Sequence, residues 1–282
     1  MKIRTKTELL DRIDKDSVWR KREIINLQGT VLRNTNNKKV MPILKSLVLV
    51  SYSHWEGFVK ATSSFYLSFL QVQSFPSNQL SVRLLSSLYF WNDQKKPKKA
   101  QDSISRYEDL IKGNQREFSF YIDDMCSTES NLNYDVLSKI MSSIGLDSTS
   151  FLLEKPFIDE RLLKFRNKFA HGDYSYDGEM NINEAIEISK KVLELMTMFK
   201  TELENAIVSE SFRRSHPAQH GEGFDAASGL PPQQPGGPIP HNMAKTFDGP
   251  PTLERSGSEH RVGQFSPSLL RREGRGERWS LP

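Results

Sequence analysis

Between Pro42 and Gln73 the chain carries apolar residues on more than one face of a helix: Leu44, Leu47, Val48, Leu49, Val50, Tyr52, Trp55, Phe58, Val59, Phe65, Tyr66, Phe69 and Leu70. A helix that is apolar over so much of its circumference is covered from several sides, so the rest of the chain has to wrap it. The segment is therefore expected at the centre of a helical bundle, and it can also supply a dimer surface. Inside it lies Tyr52-Ser53-His54-Trp55-Glu56-Gly57-Phe58-Val59-Lys60. Trp55 reads as core and His54 as structural. Glu56 sits among apolar neighbours, and a carboxylate there needs a partner. Either Lys60 serves it at i+4 on a wet face, or it faces Arg166 or His171 and orients them.

The wrapping segments read as helices too. Leu9, Leu10, Ile13, Val18, Trp19, Ile24, Ile25, Leu27 and Val31 mark a first helix over about 7–33, with Thr7 or Asp16 as caps and a break possible near Gly29. A third covers about 80–91 after Pro76, and a short amphipathic one is expected over 103–111, closed by Gly113. Phe118 to Ile122 could be a short strand or a helical turn. Tyr134 to Ile144, capped by Gly145, is a helix, and a short one can begin at Asp147. Ile182, Ala185, Ile186, Ile188, Val192, Leu195, Met196, Phe199, Leu203 and Ile207 form the apolar stripe of a last long helix over about 182–208. The fold class is all-α, an elongated helical bundle.

Composition changes abruptly near residue 210. Residues 1–210 hold four prolines and six glycines, whereas residues 211–282 hold ten of each. The first part is ample for one sizeable core. The second cannot bury enough apolar surface to offset chain entropy and is expected to be a disordered Pro/Gly/Arg-rich tail. The domains are thus expected at 1–210 and 211–282. The first part has 30 basic and 28 acidic side chains, a balance that leaves nucleic-acid binding to a local patch. The run Lys95-Lys96-Pro97-Lys98-Lys99 is a candidate for phosphate contact, although most such runs are solvated loops. Cys126 is the single cysteine, read as a buried small hydrophobe, which fits a reducing compartment. No leader and no membrane span are expected, and the location is expected to be cytoplasmic. Asp123-Asp124 lacks further ligands at suitable spacing, so no metal and no cofactor are expected.

The stretch with chemistry in it is Leu162-Leu163-Lys164-Phe165-Arg166-Asn167-Lys168-Phe169-Ala170-His171-Gly172. Pro156, Asp159 and Glu160 suit the start of a helix, and Ile158, Leu162, Phe165 and Phe169 give its apolar face. Gly172 supplies a left-handed position, so the helix should stop at His171. Asn167 and His171 share a face, with Arg166 about 140° round from His171. Imidazole suits proton transfer near neutral pH and guanidinium suits phosphate. The plainer alternative is a histidine favoured at a carbonyl-rich helix end by roughly 0.3–1 kcal/mol, beside a solvated arginine.

Arg166-Asn167-Lys168-Phe169-Ala170-His171 matches the R-x4-H signature of the HEPN superfamily, and with the upstream Trp55-Glu56 element the chain resembles its MAE-type branch, associated with toxin–antitoxin and defence loci. The likeness covers roughly residues 5–208. It implies a homodimer in which two motifs face one groove, and metal-independent cleavage of RNA. His171 would be the general acid/base, Arg166 would stabilise the transition state, and Asn167 would orient substrate or the histidine, with Glu56 the candidate, from its apolar setting, for orienting Arg166 or His171. Lys164 and Lys168, with Lys95, Lys96, Lys98 and Lys99, would contact RNA, and an antitoxin protein is a possible partner. In the branch regulated by nucleotidylation a tyrosine stands two residues after the histidine; here that position is Asp173 and Tyr174 follows it. The alternative is a non-catalytic HEPN-like module that binds RNA or protein.

Overall fold

The computed structural model describes residues 2–35, 40–95, 104–105, 108, 118–172 and 180–214. Helix α1 runs Lys6–Arg33 without a break at Gly29. One glycine costs a helix interior only about 1 kcal/mol, and packing recovers it. Its cap is Thr5, whose side chain accepts from the Glu8 N–H, while Glu8 reaches back to the Arg4 N–H at 3.0 Å. Helix α2 runs Val40–Gln73, with Pro42 in its first turn, where a missing N–H costs nothing. The last long helix, α7, spans Ile182–Val208 behind an Asn181 cap. Helices α1, α2 and α7 pack on one another in every pairing.

Trp55 is fully buried at the centre, its ring centroid 6.2 Å from Phe199 and 6.3 Å from Phe151. Gly57 leaves room for Arg20: a Cβ there would lie 2.5 Å from its Nη1. Arg20 stacks on Trp19 at 4.6 Å and is held by Asp16 at 2.7 Å. His54 is buried between α1 and α2, with Glu23 Oε2 2.8 Å from its Nε2 and Trp19 edge-on. Burial lowers the pKa of His54 below its ordinary 6.5, against the pull of Glu23. As pH falls below 6.5 the unfolded chain therefore takes up a proton that the folded chain resists, and stability falls. The melting temperature is expected to drop between pH 6.5 and 5, with a shallower slope in His54→Gln; equal slopes would refute this.

A second group of elements lies against this layer. Helix α3, Val82–Lys95, packs on α5, Tyr134–Ser143; α4 is the single turn Ile122–Met125. The segment 118–121 is irregular rather than a strand, since no neighbouring strand is present among the described residues to pair with it. Most of the expected helix over 103–111 lies outside the described residues. Gly145 closes α5 at φ +82°, and a Cβ there would sit 3.0 Å from Leu84 Cβ and 3.3 Å from its Cα. Gly145→Ala combines a left-handed alanine with a backbone-to-backbone squeeze and should cost about 1–3 kcal/mol in a denaturation experiment.

The motif segment is only partly α-helical. A 3₁₀ turn, Thr149–Glu154, leads into a π-helical stretch, Phe157–Leu162, before α6, Leu163–Ala170. Wide turns of this kind are rare and cluster near functional sites. Asp159, expected to serve its own helix end, instead accepts from the Tyr134 N–H at 2.7 Å in the first turn of α5. Arg161 grips Glu184 and Glu187 of α7 at 2.8 and 2.9 Å.

Beyond Val208, Phe212 is buried against Tyr66, Phe69 and Phe75. The Ser81 N–H donates to its carbonyl at 2.8 Å. From 215 onward the expected tail lies outside the described residues. No described helix is long and apolar enough to cross a membrane.

Candidate functional site

Helix α6 ends as its sequence requires. His171 is the C-cap, its N–H bonding to the Asn167 carbonyl at 3.1 Å, and Gly172 takes φ +70°. Phe165 and Phe169 are buried and stacked, centroids 5.7 Å apart. That buried pair fixes the rotation of the helix, so that Arg166 and Asn167 are half-buried while His171 is exposed.

Arg166 is held from several directions. Its Nη1 donates to Asn131 Oδ1 at 2.8 Å and to Asn167 Oδ1 at 2.7 Å, and its Nη2 donates to the Ser130 carbonyl at 3.0 Å. The guanidinium also lies over the Tyr52 ring at 4.9 Å. Asn167 thus holds the arginine, whereas the expectation was that it orients substrate or the histidine. Glu56 accepts from Thr128 Oγ1 at 2.6 Å, and its charge bears on the nearby Tyr52 hydroxyl. It therefore reaches Arg166 indirectly, through the ring on which the guanidinium lies. Tyr52 in turn accepts from the Leu132 N–H at 2.7 Å. Burial, together with Glu56, pushes its phenol up to about 12, so it stays a neutral platform at any working pH.

Residues 127–133 therefore form a loop stitched to α2 and α6 by Thr128, Ser130, Asn131 and Leu132. It carries a strained pair, Glu129 at φ +52° and Ser130 at φ +64°. Left-handed backbone at residues other than glycine costs on the order of 1–3 kcal/mol each and persists only where the surroundings enforce it. Nothing in the residue pattern marks Asn131, 35 residues from the arginine it binds. Tyr52 does leave a trace, one helical turn before Glu56, but its position there suits apolar filling equally well.

The basic residues scatter. Lys164 is exposed on α6, whereas the ammonium of Lys168 is shielded from solvent. Lys95 pairs with Asp124 at 2.8 Å. Lys96, Lys98 and Lys99 lie outside the described residues, as do Asp173 and Tyr174. Cys126 is buried, and burial raises its pKa to about 12, as expected of a packing thiol. Among the described residues no three His, Cys, Asp or Glu side chains are grouped as metal ligands.

No curated protein and no solved structure matches this chain. A family model does: that of RiboL-PSP-HEPN matches residues 15–205, from within α1 almost to the end of α7 and across the whole Arg166–His171 motif. With its all-helical body and its R-x4-H motif at a helix end, the chain belongs to the RiboL-PSP-HEPN family.

Proposed function

We propose that the protein is a metal-independent endoribonuclease, an effector of the toxin–antitoxin or phage-defence kind. HEPN domains are often ribonucleases, and membership of this family supports a nuclease or RNA-binding role in general. The observation that carries the finer reading is that one helix end presents an exposed imidazole, His171, while it holds a half-buried guanidinium, Arg166, five residues earlier. Three of the five Arg166 N–H donors are committed to protein acceptors. The two that bond no acceptor among the described residues suit a phosphate.

In this reading an RNA phosphodiester lies against Arg166. The ribose 2′-oxygen attacks phosphorus, the bond to the 5′-oxygen breaks, and the products are a 2′,3′-cyclic phosphate and a 5′-hydroxyl. His171 moves the proton, either from the 2′-hydroxyl or to the departing 5′-oxygen. Arg166 stabilises the charge that builds on the phosphorane-like transition state. DNA, without the 2′-hydroxyl, is not cut. Two copies facing one groove would bring one histidine to each oxygen, so the working form is taken to be a homodimer, in the cytoplasm, with an antitoxin as a further partner.

A second reading, a non-catalytic module that binds RNA or protein, is favoured by the tight engagement of Arg166 by its own chain. One assay separates the two. The full-length protein incubated with RNA in EDTA should yield fragments ending in cyclic phosphate. Salt-dependent RNA binding without any fragments would establish the module instead.

A further inference from the structure

The contacts around Arg166 are more elaborate than a surface arginine requires, and they have a direction. Asn131 and Asn167 both accept from Nη1, Ser130 accepts from Nη2, and Tyr52 lies beneath the plane. The loop providing Ser130 and Asn131 is held in a strained conformation, Glu129 and Ser130 both having positive φ. Tyr52 is tied to that loop by the Leu132 N–H, and Glu56, whose charge bears on the Tyr52 hydroxyl, is tied to it by Thr128. Glu129 itself is drawn away by Lys139 of α5. Each contact restrains either the plane of the guanidinium or the loop that sets it.

We propose that Tyr52 and Asn131 are positioning residues, which fix the Arg166 guanidinium so that the two N–H donors with no acceptor among the described residues meet the scissile phosphate as a rigid pair. The proposal rests on the nuclease reading and gives it a geometry. A free arginine would lose side-chain entropy on meeting the phosphate; one already locked by a ring and three acceptors has lost it on folding. The Tyr52 ring restrains the plane of the fork, and Asn131 restrains its rotation within that plane. Neither residue touches substrate, so both act on turnover rather than on binding.

The test compares Asn131→Ala, Asn131→Asp, Tyr52→Phe and Tyr52→Leu with the parent, measuring kcat and KM on RNA together with hydrogen exchange of the Leu132 amide. Asn131→Ala releases one bond to a charged group and should lower kcat about 10–100-fold with KM within about threefold. Asn131→Asp keeps the acceptor but neutralises the arginine, so KM should rise instead. Tyr52→Phe keeps the ring and loses only the hydroxyl, so kcat falls a few-fold while Leu132 exchanges faster; Tyr52→Leu should approach the loss seen in Asn131→Ala. If the parent cuts RNA and the folded Asn131→Ala and Tyr52→Phe variants turn over at the parental rate, the positioning role is overturned while the nuclease reading stands. If the parent does not cut RNA, the nuclease reading fails first and the positioning role with it. A separate arm needs no activity: Arg166→Ala should speed exchange at Leu132, and unchanged protection there would overturn the positioning role.

Discussion

Full-length protein carrying His171→Ala is expected to fold like the parent and to leave RNA intact. His171 is exposed at a helix C-cap and the bond it makes there is through its backbone N–H, which alanine retains. Losing the imidazole at a carbonyl-rich end should cost the fold less than about 1 kcal/mol. Losing a general acid–base group should cost the reaction about 10²–10⁴-fold. The two magnitudes are so unequal that a single variant separates chemistry from structure, with circular dichroism and thermal melting beside the cleavage assay. Arg166→Ala should be inactive as well, but it also releases Ser130 and Asn131, so its melting temperature should fall where that of His171→Ala does not. Full cleavage by His171→Ala would refute its assignment.

The second large effect concerns the fold alone. Trp55→Ala should destabilise the protein by about 3–5 kcal/mol, the usual cost of emptying a fully buried aromatic site. The ring stands where α2 meets Phe151 and Phe199, and these neighbours belong to segments fixed elsewhere, by α1 packing and by the Lys191–Glu154 pair. They cannot close over the void. For a body of this size the loss corresponds to a drop in melting temperature of roughly 6–20 °C. A change of less than about 1 kcal/mol would mean that the site collapses and that Trp55 is not the centre of the core.

How much of this could be read from residues alone depended on the range of the interaction. The stripe from Ile182 to Ile207 located α7 because burial on one face repeats every three or four residues, and Gly172 located the end of α6 because few other residues accept its φ. The α1 cap was legible but misread: Thr5-Lys6-Thr7-Glu8 has the spacing of a capping box, which outranks Thr7 or Asp16. The π turn over 157–162 left no mark, since the apolar period of Ile158, Leu162, Phe165 and Phe169 suits an ordinary α-helix equally well. At the candidate site, His171, Arg166 and Asn167 were visible because they are neighbours in sequence. Glu56 is visible as a misplaced charge, though its hydrogen-bond partner is Thr128 rather than Lys60, Arg166 or His171. Asn131 was invisible, because an asparagine in a polar loop is unremarkable until the chain folds it against an arginine on another helix.

Phe212 has a practical consequence. Anyone shortening the gene to its helical bundle would stop at the last turn of α7, yet a cut at Val208 strips a lid from Tyr66, Phe69 and Phe75 and leaves a greasy hollow open to water. The Arg214 N–H, donating to the Gln79 carbonyl, marks where trimming should end. A product ending there should stay monodisperse, and one six residues shorter should clump.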